Sequence, residues 1–185
     1  MQKKEPGCSL KAALLFLEEF AGDELCGKCP PCRLGVMQAI ELLKRMAEGA
    51  GERGDLDLLS LISVRMETSS MCKRGREVAR RLHESLSKKR SEYEEHVQEK
   101  KCQALECDGL VTYRVIPERC NMCDACKKIC EFDAIIGEPL IPYLTNNMPY
   151  QIRERRCKNC GRCLDVCPEG AIEVCQREGQ QRLIA

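Results

Sequence analysis

The sequence predicts an α+β chain: a small four-helix bundle over residues 1–97, a junction at 98–111, and a short Cys-rich domain over 112–185. Three observations predict it. Apolar residues recur at helical spacing through residues 9–97. From Cys120 onward one Cys-rich motif occurs twice, 37 residues apart. Sixteen of the 185 residues are Cys, against three Phe, four Tyr and no Trp, so a large conventional core is unavailable. Metal ligation is then expected to supply much of the folding free energy.

The first helix is expected from Ser9, as N-cap, to about Gly22, with Leu10, Ala13, Leu14, Leu17 and Phe20 on one stripe. A second, over 34–48, carries Val36, Met37, Ile40, Leu43 and Met46 on its apolar side. The AGERGD stretch ends it, and Asp55 is expected to cap a third helix bearing Leu58, Leu59, Ile62 and Met66. The fourth runs from about Gly75 to Val97 along Val78, Leu82, Leu86, Tyr93 and Val97. Short connections between amphipathic helices favour antiparallel packing.

At the N-terminus Lys3 and Lys4 precede an apolar run, but Glu18 and Glu19 interrupt it and no small-residue cleavage site follows. No stretch is apolar enough to span a membrane. A cytoplasmic chain is therefore expected, where thiols stay reduced and clustered Cys points to metal. The 30 basic and 29 acidic residues nearly balance, which gives no reason to expect nucleic acid as a partner. The charge run over 88–96 reads as a solvated helix face, and His83 as a helix-surface residue.

Each copy of the repeat reads C-x2-C-x2-C-x3-C: Cys120, Cys123, Cys126 and Cys130, then Cys157, Cys160, Cys163 and Cys167. Three thiolates so spaced let one tight loop hold three corners of a cubane, with the fourth ligand coming from elsewhere. Zinc knuckles use two thiols per loop, which argues against a pair of zinc sites. The C-x3-C-x2-C order of radical S-adenosylmethionine enzymes is absent. The spacing resembles a bacterial-type 2[4Fe–4S] ferredoxin over residues 112–176. That resemblance implies two crossed ligand sets, Cys120, Cys123, Cys126 with Cys167, and Cys157, Cys160, Cys163 with Cys130. The second copy keeps the usual proline after its fourth Cys, Pro168. The first has Glu131 there, a negative charge expected to lower the potential of a nearby cluster.

A third Cys loop, Cys26-Gly27-Lys28-Cys29-Pro30-Pro31-Cys32-Arg33 with Gly35 beyond it, stands at the start of the second helix. Free N–H groups and the helix dipole there favour an anionic group. Cys72 is the one Cys among the bundle helices that follow, and so the candidate fourth ligand; a structural zinc site from the same four thiols is the alternative. The stretch resembles the iron–sulfur domain of the NADH-binding flavoprotein subunit of complex I and of NAD(P)-linked and electron-bifurcating iron hydrogenases. The family motif is E-S-C-G-K-C-x-P-C-R-x-G with a fourth Cys forty residues after the third. Here Glu24 is kept, Leu25 replaces Ser, and Cys72 stands forty residues after Cys32. In the hydrogenase relatives a ferredoxin-like domain follows, as here.

The resemblance implies three [4Fe–4S] clusters and a non-catalytic subunit relaying single electrons. Its expected partners are a flavoprotein and a terminal oxidoreductase, such as a hydrogenase, a formate dehydrogenase or another enzyme of anaerobic metabolism, or a soluble ferredoxin. The relatives carry FMN and NADH on a large preceding domain with glycine-rich phosphate loops. No such loop occurs here, so neither FMN nor NAD is expected on this chain. No convergent base, nucleophile and open metal position is found, and no catalytic residue is assigned. The competing reading is an interaction module whose clusters are structural.

Four Cys remain: Cys8, Cys102, Cys107 and Cys175. His96, Cys102 and Cys107 form H-x5-C-x4-C at the junction and offer three ligands for a tetrahedral zinc. The fourth is Cys8, with Cys175 as the substitute, although Cys175 reads as the end of a strand. Reduced core thiols are the plainer alternative. The hydrogenase-type resemblance implies a comparable zinc site at this junction.

Overall fold

A computed structural model describes residues 6–142 and 147–177, in two compact units that meet in sequence between Leu110 and Val111. The basic N-terminal residues and part of the insertion between the Cys repeats lie outside the described residues.

The first unit is helical. Helix α1 spans Ser9–Glu19 and passes into a π-helical turn at Phe20–Glu24. Helix α2 spans Pro30–Ala47, opening on two prolines that need no hydrogen bond for their missing N–H groups. Helix α3 is Arg53–Ser69 and α4 is Lys73–Lys88. A short α5, Arg90–Glu94, ends in a second π-helical turn at Glu95–Glu99, so the single helix expected from Gly75 to Val97 is interrupted at Lys89. Lys100 then closes the run in the left-handed conformation.

The helices pack in succession, α1 on α2, α2 on α3 and α3 on α4, with α1 also touching α4 and α5. Their shared core holds Leu10, Leu17, Val36, Leu43, Leu59 and Leu82, each at most 1% exposed. Burying such a side chain contributes roughly 1.5–3 kcal/mol. Two side chains read as core are not: Met37 is 55% exposed and Leu58 46%. Each sits about 100° around its helix from the buried Val36 or Leu59, and Ala39, Leu42 and Leu56 fill the core instead.

Two expected caps also move. Cys8, not Ser9, is the N-cap of α1, and the Ser9 hydroxyl donates to Glu92 instead. Glu52 caps α3 in a capping box with Asp55 at N3. Asp55 also receives the Arg45 guanidinium, which ties the end of α2 to the start of α3. His83 is half-buried, its Nδ1 3.1 Å from the Ser63 hydroxyl, so it is no plain surface residue.

Residues 100–110 wrap back onto the helices without regular structure. The Gly109 amide donates to the Ala47 carbonyl, and a Cβ at Gly109 would overlap the backbone of Glu48. Only glycine lets this loop seat against the end of α2, a close approach that fixes the nearby Cys107.

The second unit carries two small antiparallel sheets. Strand β1, Val111–Val115, pairs with β4, Ile172–Gln176, in a register that sets Val111 against Gln176 and Val115 against Ile172. Strands β2, Ile135–Ile136, and β3, Gln151–Ile152, form the other pair. Two short helices, α6 (Ala125–Ile129) and α7 (Arg162–Asp165), each carry the third Cys of a repeat, Cys126 and Cys163. The core here is small: Val115, Ile135, Tyr150 and Ile172 pack directly against Cys126, Cys120, Cys163 and Cys167. With five thiols among the twelve residues of this core, the unit depends on what the thiols bind.

Candidate metal centres

The two Cys repeats fold alike. Met122, Asp124 and Asp133 of the first copy have positive φ, and so do Asn159, Gly161 and Gly170, each 37 residues on. Left-handed residues at these matched positions give the two copies the same sequence of tight turns.

The fourth thiol of each copy lies with the other copy's three. Cys120, Cys123, Cys126 and Cys167 line one cavity, beside Val115, Tyr150 and Ile172. Cys130, Cys157, Cys160 and Cys163 line a second, beside Tyr113, Ile135 and Ile152. Burial, reinforced by Cys120 and Cys123, pushes the Cys126 thiol up to about 11, and burial with Cys157 pushes Cys163 likewise to about 11. The Ala171 amide donates to Cys167 Sγ at 3.2 Å. Crowded thiols, six of the eight at least partly buried, with apolar walls and an amide donating to Cys167 fit a cluster whose cationic iron relieves their mutual repulsion.

Two features modulate these loops. The Tyr150 hydroxyl donates to Asp124 Oδ1 at 2.5 Å, and this bond holds the Asp124 carboxyl below its usual range. Glu131, in the proline position of the first copy, is in ion-pair contact with Arg162. Its charge is thereby partly neutralised, which weakens the expected effect on the potential of a neighbouring cluster.

In the helical unit two helix N-termini converge on the third loop. Cys29 is the N-cap of α2 and Cys72 the N-cap of α4, whose Gly75 amide donates to Cys72 Sγ at 3.4 Å. The Met71 amide holds the Cys29 thiol below its usual range, although burial opposes it. Cys32 is pushed up to about 11 by burial and then by the neighbouring Cys29, Cys72 and Cys26. A Cβ at Gly75 would stand 3.1 Å from Cys32 Sγ, so this glycine leaves the sulfur its space. Beside it Ser70 is buried and its hydroxyl has no partner among the described residues. An orphaned donor next to two inward helix ends fits an anionic cluster held by Cys26, Cys29, Cys32 and Cys72.

Cys8, His96, Cys102 and Cys107 come together in the same unit with all ligand atoms within 4.8 Å of one another and all four side chains buried. Cys8 Sγ lies 3.3 Å from His96 Nε2 and 3.7 Å from Cys107 Sγ. Zn–S bonds of about 2.3 Å imply tetrahedral edges of about 3.8 Å, so the donor set has the size of a zinc site. The Glu92 carbonyl lies 2.7 Å from His96 Nδ1, which leaves Nε2 for the metal. Around them Glu106 accepts from the Gly7 and Cys8 amides, and Glu92 from the Ser9 amide and hydroxyl.

Without a cation these donors perturb one another strongly. Hydrogen bonds from Cys107 and Cys8 hold Cys102 far below the usual thiol range, against burial. Burial depresses the His96 imidazole, but hydrogen bonds to Cys102 and Cys8 outweigh it and lift it to about 10. Cys175 is elsewhere, on β4, with its thiol 3.6 Å from the Thr112 carbonyl oxygen.

Sequence reasoning missed Ser70, Glu92, Glu106 and Tyr150. None belongs to a spacing motif: Glu92, Glu106 and Tyr150 matter through contacts that only folding creates, and Ser70 through a buried hydroxyl without a partner among the described residues. Among the described residues no helix is long and apolar enough to cross a membrane.

Residues 12–96 match the NADH-ubiquinone oxidoreductase-F iron-sulfur binding region, and residues 119–172 match the 4Fe-4S dicluster domain. The chain is 36% identical over 139 residues to the NADP-reducing hydrogenase subunit HndC of Solidesulfovibrio fructosivorans, covering 75% of this chain and 28% of that protein. It is 37% identical over 98 residues to a component of the NADH-quinone oxidoreductase of Streptomyces coelicolor, or 53% of this chain and 22% of that protein. The beta subunit of the NADP(+)-dependent formate dehydrogenase of Moorella thermoacetica matches at 34% over 82 residues, 44% of this chain and 12% of that protein. The chain thus spans less than a third of the length of these relatives. The chain carries, over residues 12–96, the NADH-ubiquinone oxidoreductase-F iron-sulfur binding region, and a 4Fe-4S dicluster domain follows over residues 119–172.

Proposed function

We propose that this chain is an electron-transfer segment that relays single electrons between a flavin- or NAD(P)H-linked partner and a terminal oxidoreductase or a ferredoxin. In this reading a four-helix bundle holds one [4Fe–4S] cluster on Cys26, Cys29, Cys32 and Cys72. The C-terminal domain holds two more, on Cys120, Cys123, Cys126 and Cys167 and on Cys157, Cys160, Cys163 and Cys130. Cys8, His96, Cys102 and Cys107 hold a structural zinc. Bound in these loops, the clusters supply reversible one-electron oxidation and reduction.

The observation that carries the reading is the crossed gathering of thiols, with the fourth Cys of each copy lying among the other copy's three. The chain's own groups then do three things. The amides of Gly75 and Ala171 donate to cluster thiols and so favour negative charge there. Apolar walls from Tyr113, Ile135, Tyr150 and Ile172 limit the water around each set, so little solvent need reorganise when charge changes. The zinc donors join the start of α1, the end of the last helix and the following loop, which keeps the helical unit rigid. The named relatives are subunits of an NADP-reducing hydrogenase, an NADH-quinone oxidoreductase and an NADP(+)-dependent formate dehydrogenase, and a flavoprotein and a terminal enzyme of that kind are the partners proposed for this chain.

An anaerobic potentiometric titration of the full chain, followed by electron paramagnetic resonance, tests it. About three electrons per chain should be taken up and returned at low potential, one for each cluster. Clusters that are not reduced, or are destroyed on reduction, would instead make them structural elements of an interaction module.

A further inference from the structure

We propose that the face of the C-terminal unit around the Cys157–Cys163 loop docks an acidic single-electron carrier protein, and that the corresponding face of the first copy does not. The two copies share a fold but not a charge. Residues 153–162, RERRCKNCGR, hold five basic residues and one acidic residue; the corresponding 116–125, IPERCNMCDA, hold one basic and two acidic. Arg153, Arg155, Arg156, Lys158 and Arg162 are all exposed. Hydrogen bonds from the Arg156 and Cys157 amides to the Arg153 carbonyl close the turn that presents the first three beside the cluster loop.

The cations of the first copy are used internally. Arg119 donates to the Glu169 carbonyl at 3.0 Å, Lys127 to the Gly137 carbonyl at 2.9 Å, and Lys128 pairs with Asp124 at 3.6 Å. Among the described residues Arg153, Arg155, Arg156 and Lys158 take part in no ion pair. Charges that stabilise nothing within the fold are left to act on a partner.

The second loop also offers what an electron-transfer contact needs. Cys160 is exposed, so the ligand set reaches the surface there. Phe132 (40% exposed) and Ile129 (37%) line the same cavity as Lys158 and Arg162, giving an apolar spot beside a cationic rim. A carrier with an acidic rim around an exposed redox centre complements this face in sign and shape. On docking, one electron passes between its centre and the group held by Cys130, Cys157, Cys160 and Cys163. One side is oxidised as the other is reduced, and no bond or proton moves.

This inference rests on the electron-carrier reading, and binding tests it separately from redox activity. The probe is a small acidic 2[4Fe–4S] ferredoxin, titrated anaerobically into the full chain at increasing salt, with transfer RNA as the competing polyanion. Affinity for the ferredoxin should fall steadily with ionic strength. The variant R155E/R156E/K158E should weaken it roughly tenfold or more at low salt. The variant R53E/R65E/K89E, which changes net charge equally on the helical unit, should leave it within about twofold. Iron content verifies that each variant keeps its clusters; if the reversal costs iron, the neutral R155Q/R156Q variant is measured instead and should still weaken binding. Equal weakening by both charge variants would overturn the proposal, as would absence of ferredoxin binding by the native chain. So would a patch that binds transfer RNA while ferredoxin affinity ignores its reversal. A chain that cycles reversibly in the titration but does not bind the probe loses the docking face and keeps the carrier reading.

Discussion

The Cys102→Ala variant is expected to lose its zinc and much of the stability of the helical unit. Cys102 is fully buried with Cys8, His96 and Cys107, so solvent cannot take the place of the missing ligand. Two thiols and an imidazole would remain buried without a cation to satisfy them, a loss on the order of 3–5 kcal/mol for breaking a buried charged set. The damage should spread, because these residues hold the N-cap of α1, the end of the helical run and the loop seated on α2 by Gly109. Anaerobic urea unfolding followed by circular dichroism, with zinc measured on the same sample, checks this. Cys175→Ala is the matched control and should keep both zinc and midpoint, since Cys175 lies on β4 near Thr112. A Cys102→Ala protein that retains about one zinc and native stability would remove the site.

The second large effect is expected at Cys130. This residue follows Cys120, Cys123 and Cys126 in sequence, yet it shares a cavity with Cys157, Cys160 and Cys163. Cys130→Ala should therefore destroy the cluster of the second loop and spare that of the first, with loss of about four of about twelve iron atoms. Pairing the substitution separates the cases. Adding Cys157→Ala should cost no further iron, whereas adding Cys120→Ala should remove about four more. Cys167→Ala should behave in the opposite sense, additive with Cys157→Ala and not with Cys120→Ala. Loss of iron from Cys130's own loop would mean that each copy binds its cluster alone.

The sequence is most legible where chemistry demands fixed spacing. Three thiols two residues apart and a repeat at 37 residues announce the two C-terminal loops, and the same offset recurs in the left-handed turns at Met122 and Asn159. Helical periodicity also finds α1 and the buried stripe from Val78 to Val97. It fails by one helical step at Met37 and Leu58, because a stripe of about 100° does not reveal its own edges. It also misses the break at Lys89, where the apolar positions keep their spacing although the helix does not.

The supporting contacts were not legible at all. Glu92 and Glu106 look like ordinary charged residues of a solvated segment, yet they accept from the amides of Gly7, Cys8 and Ser9 across more than eighty residues of chain. Ser70 has no motif, and its significance is a buried hydroxyl without a partner among the described residues. The Glu131 charge was visible, but the Arg162 side chain that meets it was not, because the pair joins positions 31 residues apart. Ligands are set by local spacing and their support by tertiary contact, and only the first is written along the chain.

Iron and zinc counted per chain on the full protein purified without oxygen test the account most directly. Three [4Fe–4S] sets and one tetrahedral donor set predict about twelve iron atoms and about one zinc. About eight iron atoms with about one zinc would leave Cys26, Cys29, Cys32 and Cys72 without a cluster, and little or no iron with several zinc atoms would contradict the electron-carrier account as a whole.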